Sequence, residues 1–282
     1  YGISSQPTNG SLSSVSGASV SYTPRAGFSG SDSFTFKASD GVAESNLATV
    51  TINVQSTGSS GPWSQRANSG PSPRDAHAMV YDSARGVSVL FGGFGGSGLN
   101  GETWEWNGNT WTMRSSGGPS ARVQHAMAYD SGRAVTVLFG GQTTGGALSG
   151  ETWNWNGATW ALRSSSGPSP REWLAMSYDI ARSVTVLFGG STGSGWSGET
   201  WEWNGNVWSQ RSNTGPAPRG YHAMAYDAAR QVTVLFGGSN PAAGVNYGDT
   251  WEWNGNNWTM RNSSGPLARF GHAMAFDSRR NV

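Results

Sequence analysis

The sequence predicts an all-β chain, most of it an array of four-stranded units of the propeller kind, and three observations carry that expectation. Gly-Gly recurs at Gly92-Gly93, Gly140-Gly141, Gly189-Gly190 and Gly237-Gly238, and a Trp closes each unit at Trp111, Trp160, Trp208 and Trp258, a period of 48 to 50 residues. Each period holds four strand-like runs, the signature of a propeller or similar array. The 42 Gly, 15 Trp and 12% charged residues describe β structure rich in turns.

Residues 1–55 differ from the rest. They are Ser- and Thr-rich, alternate apolar with polar and contain no Trp. Residues 19–22, 33–38 and 48–54 read as strands by their Val, Phe, Thr and Tyr content, with Pro24, Gly27, Gly30 and Asp40-Gly41 at the turns. Residues 56–61, Ser-Thr-Gly-Ser-Ser-Gly, read as a flexible linker. The array follows over 62–282, opening with Trp63-Ser-Gln-Arg66, which matches the last strand of a unit and would suit ring closure. The chain begins at Tyr1 without Met and ends at Val282 partway through a unit, so a fragment of a longer modular protein is expected.

Within the first full unit, strands are expected at 77–82, 87–91, 102–106 and 110–114. His77, Met79 and Tyr81 would share one face of the first strand, and the small Ala78 and Val80 the other. Gly92-Gly93 permits a sharp bend. Asn107-Gly108 signals a two-residue type I′ hairpin. That register pairs Trp106 with Asn109 and Trp104 with Trp111, placing three indoles on one face and Glu105 with Thr110 on the other. Indoles that each bury ~150 to 250 Å² would form a core between neighbouring sheets.

Two resemblances follow from these motifs. Residues 22–41, from Tyr22-Thr-Pro-Arg to Ser39-Asp40-Gly41, with Ser5-Gln-Pro-Thr-Asn-Gly upstream, resemble the immunoglobulin-like or cadherin-like modules strung along bacterial surface and secreted proteins. The resemblance implies a small β-sandwich-like module and makes Asp32 and Asp40 candidates for calcium, although both also sit where turns favour Asp. Gly-Gly, an aromatic-rich strand and the following Trp resemble kelch repeats, the blades of galactose-oxidase-type propellers. Four full repeats over 62–282 imply a kelch-type β-propeller of four-stranded blades. Galactose oxidase itself would imply copper and a Tyr cross-linked to Cys; the chain has no Cys, so no cofactor is expected.

Charge and chemistry follow the period. The 17 arginines give 15 to three columns, Arg66, Arg114, Arg163, Arg211, Arg261; Arg74, Arg122, Arg171, Arg219, Arg269; and Arg85, Arg133, Arg182, Arg230, Arg280. Once-per-unit cations hold units together rather than form a nucleic-acid footprint. Asp82 and its equivalents precede an Arg by three residues, which reads as turn chemistry with a local ion pair. Glu102, Glu151, Glu199 and Asp249 open the third strand of each unit. His77, His125, His222 and His272 share one column, which accepts Leu174 in the third unit, so they read as packed, hydrogen-bonded structural histidines. No apolar run approaches the ~18 residues of a membrane span.

Removing every periodic residue leaves Asp75, Phe94, Gln124, Glu172, Trp173, Trp196, Tyr221, Tyr247 and Phe270. They lie in loops expected to emerge on one rim, and these residues are the candidate binding site for a protein or glycan partner. The expected function is a non-catalytic recognition module, secreted or at a bacterial cell surface. The alternative is a carbohydrate-active kelch enzyme of epimerase, mutarotase or oxidase type, for which Asp75 and Glu172 would supply acids, and a third class is purely structural adhesion. Neither membrane insertion nor nucleic acid is expected.

Overall fold

A computed structural model describes residues 1–17, 19–54 and 64–282, which form two compact units, Tyr1–Arg66 and Ala67–Val282. The expected linker at 56–61 and Trp63 lie outside the described residues, and Ser64, Gln65 and Arg66 carry no strand.

In the N-terminal unit, Gly2–Ser5, Gly30–Lys37 and Ala48–Val54 form an antiparallel sheet with Gly30–Lys37 in the middle, and Gly10–Leu12 pairs with Tyr22–Pro24. The strand expected at 19–22 begins only at Tyr22. Asp32, on the central strand, is 6% exposed. Its Oδ1 accepts from the backbone N–H groups of Thr8 (3.0 Å) and Ser33 (2.9 Å), and its Oδ2 from Asn9 N–H (2.8 Å) and the Tyr22 hydroxyl (2.9 Å). All four acceptor sites of the carboxylate are therefore occupied. Burial works to raise its pKa, but these hydrogen bonds prevail and hold it below the ordinary value. Asp40, the other carboxylate considered for calcium, accepts from the N–H groups of Val42 and Ala43 at 2.9 Å each.

The C-terminal unit contains four four-stranded antiparallel sheets in succession. The first is Ala78–Asp82, Val87–Phe91, Thr103–Trp106 and Trp111–Ser115, paired in that order. The second starts at Ala126–Asp130, the third at Ala175–Asp179 and the fourth at Ala223–Asp227, each with the same order. Alternation decides how they stack. Val89 and Phe91 of the first sheet, with Ala78 and Val80, pack against Met127, Leu138, Trp155 and Trp160 of the second. The same aliphatic-on-indole contact joins the second sheet to the third and the third to the fourth. Trp155, Trp203 and Trp253 are almost wholly buried in it. At about 25 cal/mol per Å² of apolar surface, each such indole contributes roughly 4 to 6 kcal/mol before entropy is counted.

Polar atoms lock these layers. Trp160, Trp208 and Trp258 donate from Nε1 to Thr103, Thr152 and Thr200 of the preceding sheet at 2.7, 2.8 and 2.7 Å. Within their own repeats, the fully buried Arg122 and Arg171 bind Glu151 and Glu199 at 2.8 and 2.6 Å. The expected local pairs form as well, Arg85 to Asp82 at 2.7 Å and Arg182 to Asp179 at 2.8 Å.

The hairpin register differs from the expected one. Trp106 pairs with Trp111 and Trp104 with Met113, around a four-residue loop at 107–110. Asn107 Oδ1 accepts from the N–H groups of Asn109 (3.0 Å) and Thr110 (2.8 Å), so the side chain organises a longer loop than a type I′ turn. A slip of two residues preserves faces, so the indoles still share one side.

The histidines are packed as expected. His125 and His222 lie edge-on to Phe91 (5.5 Å) and Phe188 (5.4 Å), and the backbone of these two phenylalanines is near enough to favour the charged ring, although among the described residues no ring nitrogen makes a well-aligned hydrogen bond. Burial first, then the charges of the neighbouring column Arg and His, lowers both from 6.5 to about 3. Gly92 shows why its position excludes side chains. Its φ is +72°, and a Cβ there would lie 2.6 Å from the Arg122 carbonyl and 2.8 Å from the His125 ring.

Candidate functional site

The loops expected on one rim pair with one another. In the first repeat, Arg74–Asp75, Phe94–Gly95 and Gly98–Leu99 form a small sheet in which Asp75 faces Phe94 and Phe94 faces Leu99. Directly opposed residues of antiparallel strands share a face, so each repeat presents a row of side chains. In the third repeat the row is Glu172, Ser191 and Trp196. In the second it holds Val123, Gln142 and Leu148, and in the fourth Gly220, Ser239 and Asn246.

Beside each row runs a feature absent from the sequence reading. Ala76, Gln124, Trp173 and Tyr221 all have left-handed backbone, with φ of 51°, 58°, 54° and 56°. Each passes a hydrogen bond to the next repeat: Gln124 N–H to Ala76 carbonyl (2.9 Å), Trp173 to Gln124 (3.0 Å), Tyr221 to Trp173 (3.0 Å) and Gly271 to Tyr221 (2.9 Å). The strain of non-glycine residues in this region, on the order of 1 kcal/mol each, is offset by a continuous backbone ladder. The only sequence signal for it was Gly271, the one glycine in a column of otherwise unrelated residues.

The nine candidate residues divide into two groups and two single residues, Tyr247 and Glu172. Asp75, Phe94 and Gln124 line one cavity of about 400 Å³, together with Leu99, Val123 and Gln142, which sequence reasoning did not single out. Phe94 is 54% exposed. Trp173, Trp196, Tyr221 and Phe270 form an aromatic cluster. Trp173 stacks on Tyr221 at 4.7 Å and on Trp196 at 5.7 Å, and Tyr221 meets Phe270 at 5.8 Å. Tyr247 belongs to neither group. Its ring lies under the Arg219 guanidinium at 3.6 Å, where the second and third repeats place Ser149 and Ser197 against their column arginines.

Glu172 is the chemically unusual member. It is 6% exposed, and its Oε2 has no hydrogen-bond partner among the described residues. Burial raises its pKa. Its charge in turn is felt by Tyr221, whose hydroxyl is raised by burial and then by Glu172. Trp196 fits over this corner because the fourth repeat has Gly220. A Cβ at Gly220 would lie 2.4 Å from Trp196 Cζ3 and 2.9 Å from the Trp173 carbonyl. Trp196 also lines a groove of about 480 Å³ bordered by Ser169, Thr192, Ser194, Glu199 and Asn213.

Among the described residues no group of three or more His, Cys, Asp or Glu side chains is placed to hold a metal ion, and no helix is long and apolar enough to cross a membrane. No curated protein matches the chain. Residues 1–53 match the family model of bacterial Ig domains, so the N-terminal unit is similar to an Ig-like domain of the bacterial kind.

Proposed function

We propose that Ala67–Val282 is part of a kelch-type β-propeller and that it serves as a recognition module, binding a glycan or protein partner through the rim that carries Trp173, Trp196, Tyr221 and Phe270. The propeller reading is supported by the period, the Gly-Gly bends and four successive four-stranded sheets whose indole faces pack on their neighbours. The bacterial Ig-like domain that precedes it supports display outside the cell, where such domains commonly act as spacers.

One observation carries the binding assignment. Four aromatic side chains that the repeat does not require converge beside a buried carboxyl whose Oε2 has no partner among the described residues. Large rigid rings at a surface provide contact area at low entropic cost, which suits sugar stacking or a protein hot spot. Asp75 and Glu172, the acids off the repeated columns, lie in different rows with that of Val123 between them, which favours binding over paired acid–base chemistry.

A glycan array and a capture experiment with the full chain test this reading. Binding is expected to fall at least tenfold in Trp173→Ala/Trp196→Ala with the unfolding midpoint little changed. Undiminished binding by that variant overturns the assignment.

A further inference from the structure

Every other carboxylate that the repeat buries has a cation. Glu105 meets Arg85 at 2.6 Å, Glu202 meets Arg182 at 2.5 Å, and Glu252 meets Arg230 and Arg261. Glu172 has none among the described residues. Its sequence neighbour Arg171 cannot turn to it, because all five guanidinium N–H groups are engaged. Nε donates to Ser169 carbonyl, Nη1 to Gly189 carbonyl and Ser197 Oγ, and Nη2 to Ser169 Oγ and Glu199. Arg219, the next column arginine, is held by Asp249, the carbonyls of Ala217 and Gly237, and the Tyr247 ring.

The partners around Glu172 are instead aromatic. It shares a face with Trp196, adjoins Trp173 in sequence and acts electrostatically on Tyr221. The faces of these rings carry the negative end of a quadrupole and attract cations. A hydroxyl donor would satisfy the hydrogen-bonding need of the carboxyl but would leave its charge uncompensated, whereas a cation meets both needs and gains from each ring.

We infer that the Glu172 corner of the rim is a site for an organic cation, an ammonium or guanidinium group, with Glu172 as its counter-charge and Trp173, Trp196 and Tyr221 as its aromatic walls. The inference rests on the recognition reading above and gives it a ligand chemistry. Such a group reaches the surface from two sources, a lysine or arginine of a peptide or the free amine of an amino sugar.

The test uses the full chain and four probes followed by tryptophan fluorescence: Nα-acetyl-lysine methylamide, methyl glucosaminide and the N-acetylated, neutral counterpart of each. At least one amine is expected to give a saturable change, its acetylated partner to bind tenfold more weakly or worse, and Glu172→Gln to lose the amine by a similar factor while keeping the wild-type unfolding midpoint. Preference for the lysine probe marks a peptide source, and preference for the glucosaminide marks an amino-glycan. Equal binding of charged and neutral probes, unchanged amine binding by Glu172→Gln, or no saturable response overturns the inference. If partner binding on the array depends on Trp173 and Trp196 but not on Glu172, recognition stands and the cation site falls. If neither substitution matters, both fall.

Discussion

The indole of Trp155 in the second sheet donates from Nε1 to Glu105 of the first at 3.0 Å, and that same carboxylate binds Arg85 and Arg114 at 2.6 and 3.3 Å. The third and fourth sheets repeat the arrangement with Trp253, Glu202, Arg182 and Arg211. Between the second and third it is broken. Asn154 replaces the glutamate, and among the described residues the buried Trp203 Nε1 and Asn154 Oδ1 have no hydrogen-bond partner.

Asn154→Glu is therefore expected to stabilise the protein. It would give Trp203 an acceptor, Arg163 a counter-charge and Arg133 a second one beside Asp130, for a gain of about 1 to 2 kcal/mol. Urea unfolding should show a higher midpoint with an unchanged slope. A lower midpoint would mean that the longer side chain does not fit between these sheets.

The buried histidines should make stability depend on pH. His125 and His222 stay neutral in the folded protein down to about 3, while the unfolded chain takes up protons near 6.5. Between those values the unfolded state binds more protons, so stability is full above pH 6.5 and falls with acidification, by on the order of 1.4 kcal/mol per pH unit for each histidine. Leu174 already fills the equivalent slot in the third repeat. His125→Leu/His222→Leu should flatten the dependence of the unfolding midpoint between pH 6.5 and 5, and an unaltered slope would contradict the assignment.

Gly220→Ala should disturb the aromatic cluster more than the fold. The added methyl meets Trp196 at its ring edge, so the indole must leave its stack on Trp173. Near-ultraviolet circular dichroism is expected to lose intensity while the far-ultraviolet spectrum is retained, and ligand affinity to fall about tenfold. Preservation of both signals would show that Trp196 adapts without leaving.

Arg171 tests the clip that ties the third repeat to itself. Arg171→Met leaves Glu199 and two carbonyls without their donor and is expected to cost about 3 to 5 kcal/mol. Arg171→Lys should restore little, since an ammonium cannot reproduce the planar fork. Rescue by lysine, measured by thermal unfolding, would show that charge alone suffices.

Much of this architecture was legible because it repeats. The strands, the Gly-Gly bends and the shared indole face follow from side-chain alternation, which a two-residue slip leaves intact. The loop at 107–110 was misjudged because Asn107 can either form a tight turn or accept N–H groups with its side chain, and only the fold decides. The convergence of Trp173, Trp196, Tyr221 and Phe270 was legible as a remainder after subtraction. The place of Tyr247 was not, because stacking under Arg219 leaves no trace in spacing. The left-handed ladder was hidden for a related reason. Its residues are held by backbone hydrogen bonds to the next repeat, so their side chains carry no common mark.

That independence has an evolutionary consequence. Ala76, Gln124, Trp173 and Tyr221 share one backbone conformation and one bonding pattern yet have four unrelated side chains. Mutation at these rungs can change what the surface contacts without dismantling what links the repeats. A lineage carrying this frame can therefore acquire new ligands one position at a time, each intermediate still folded, and a library randomised at these rungs should yield a high proportion of folded members.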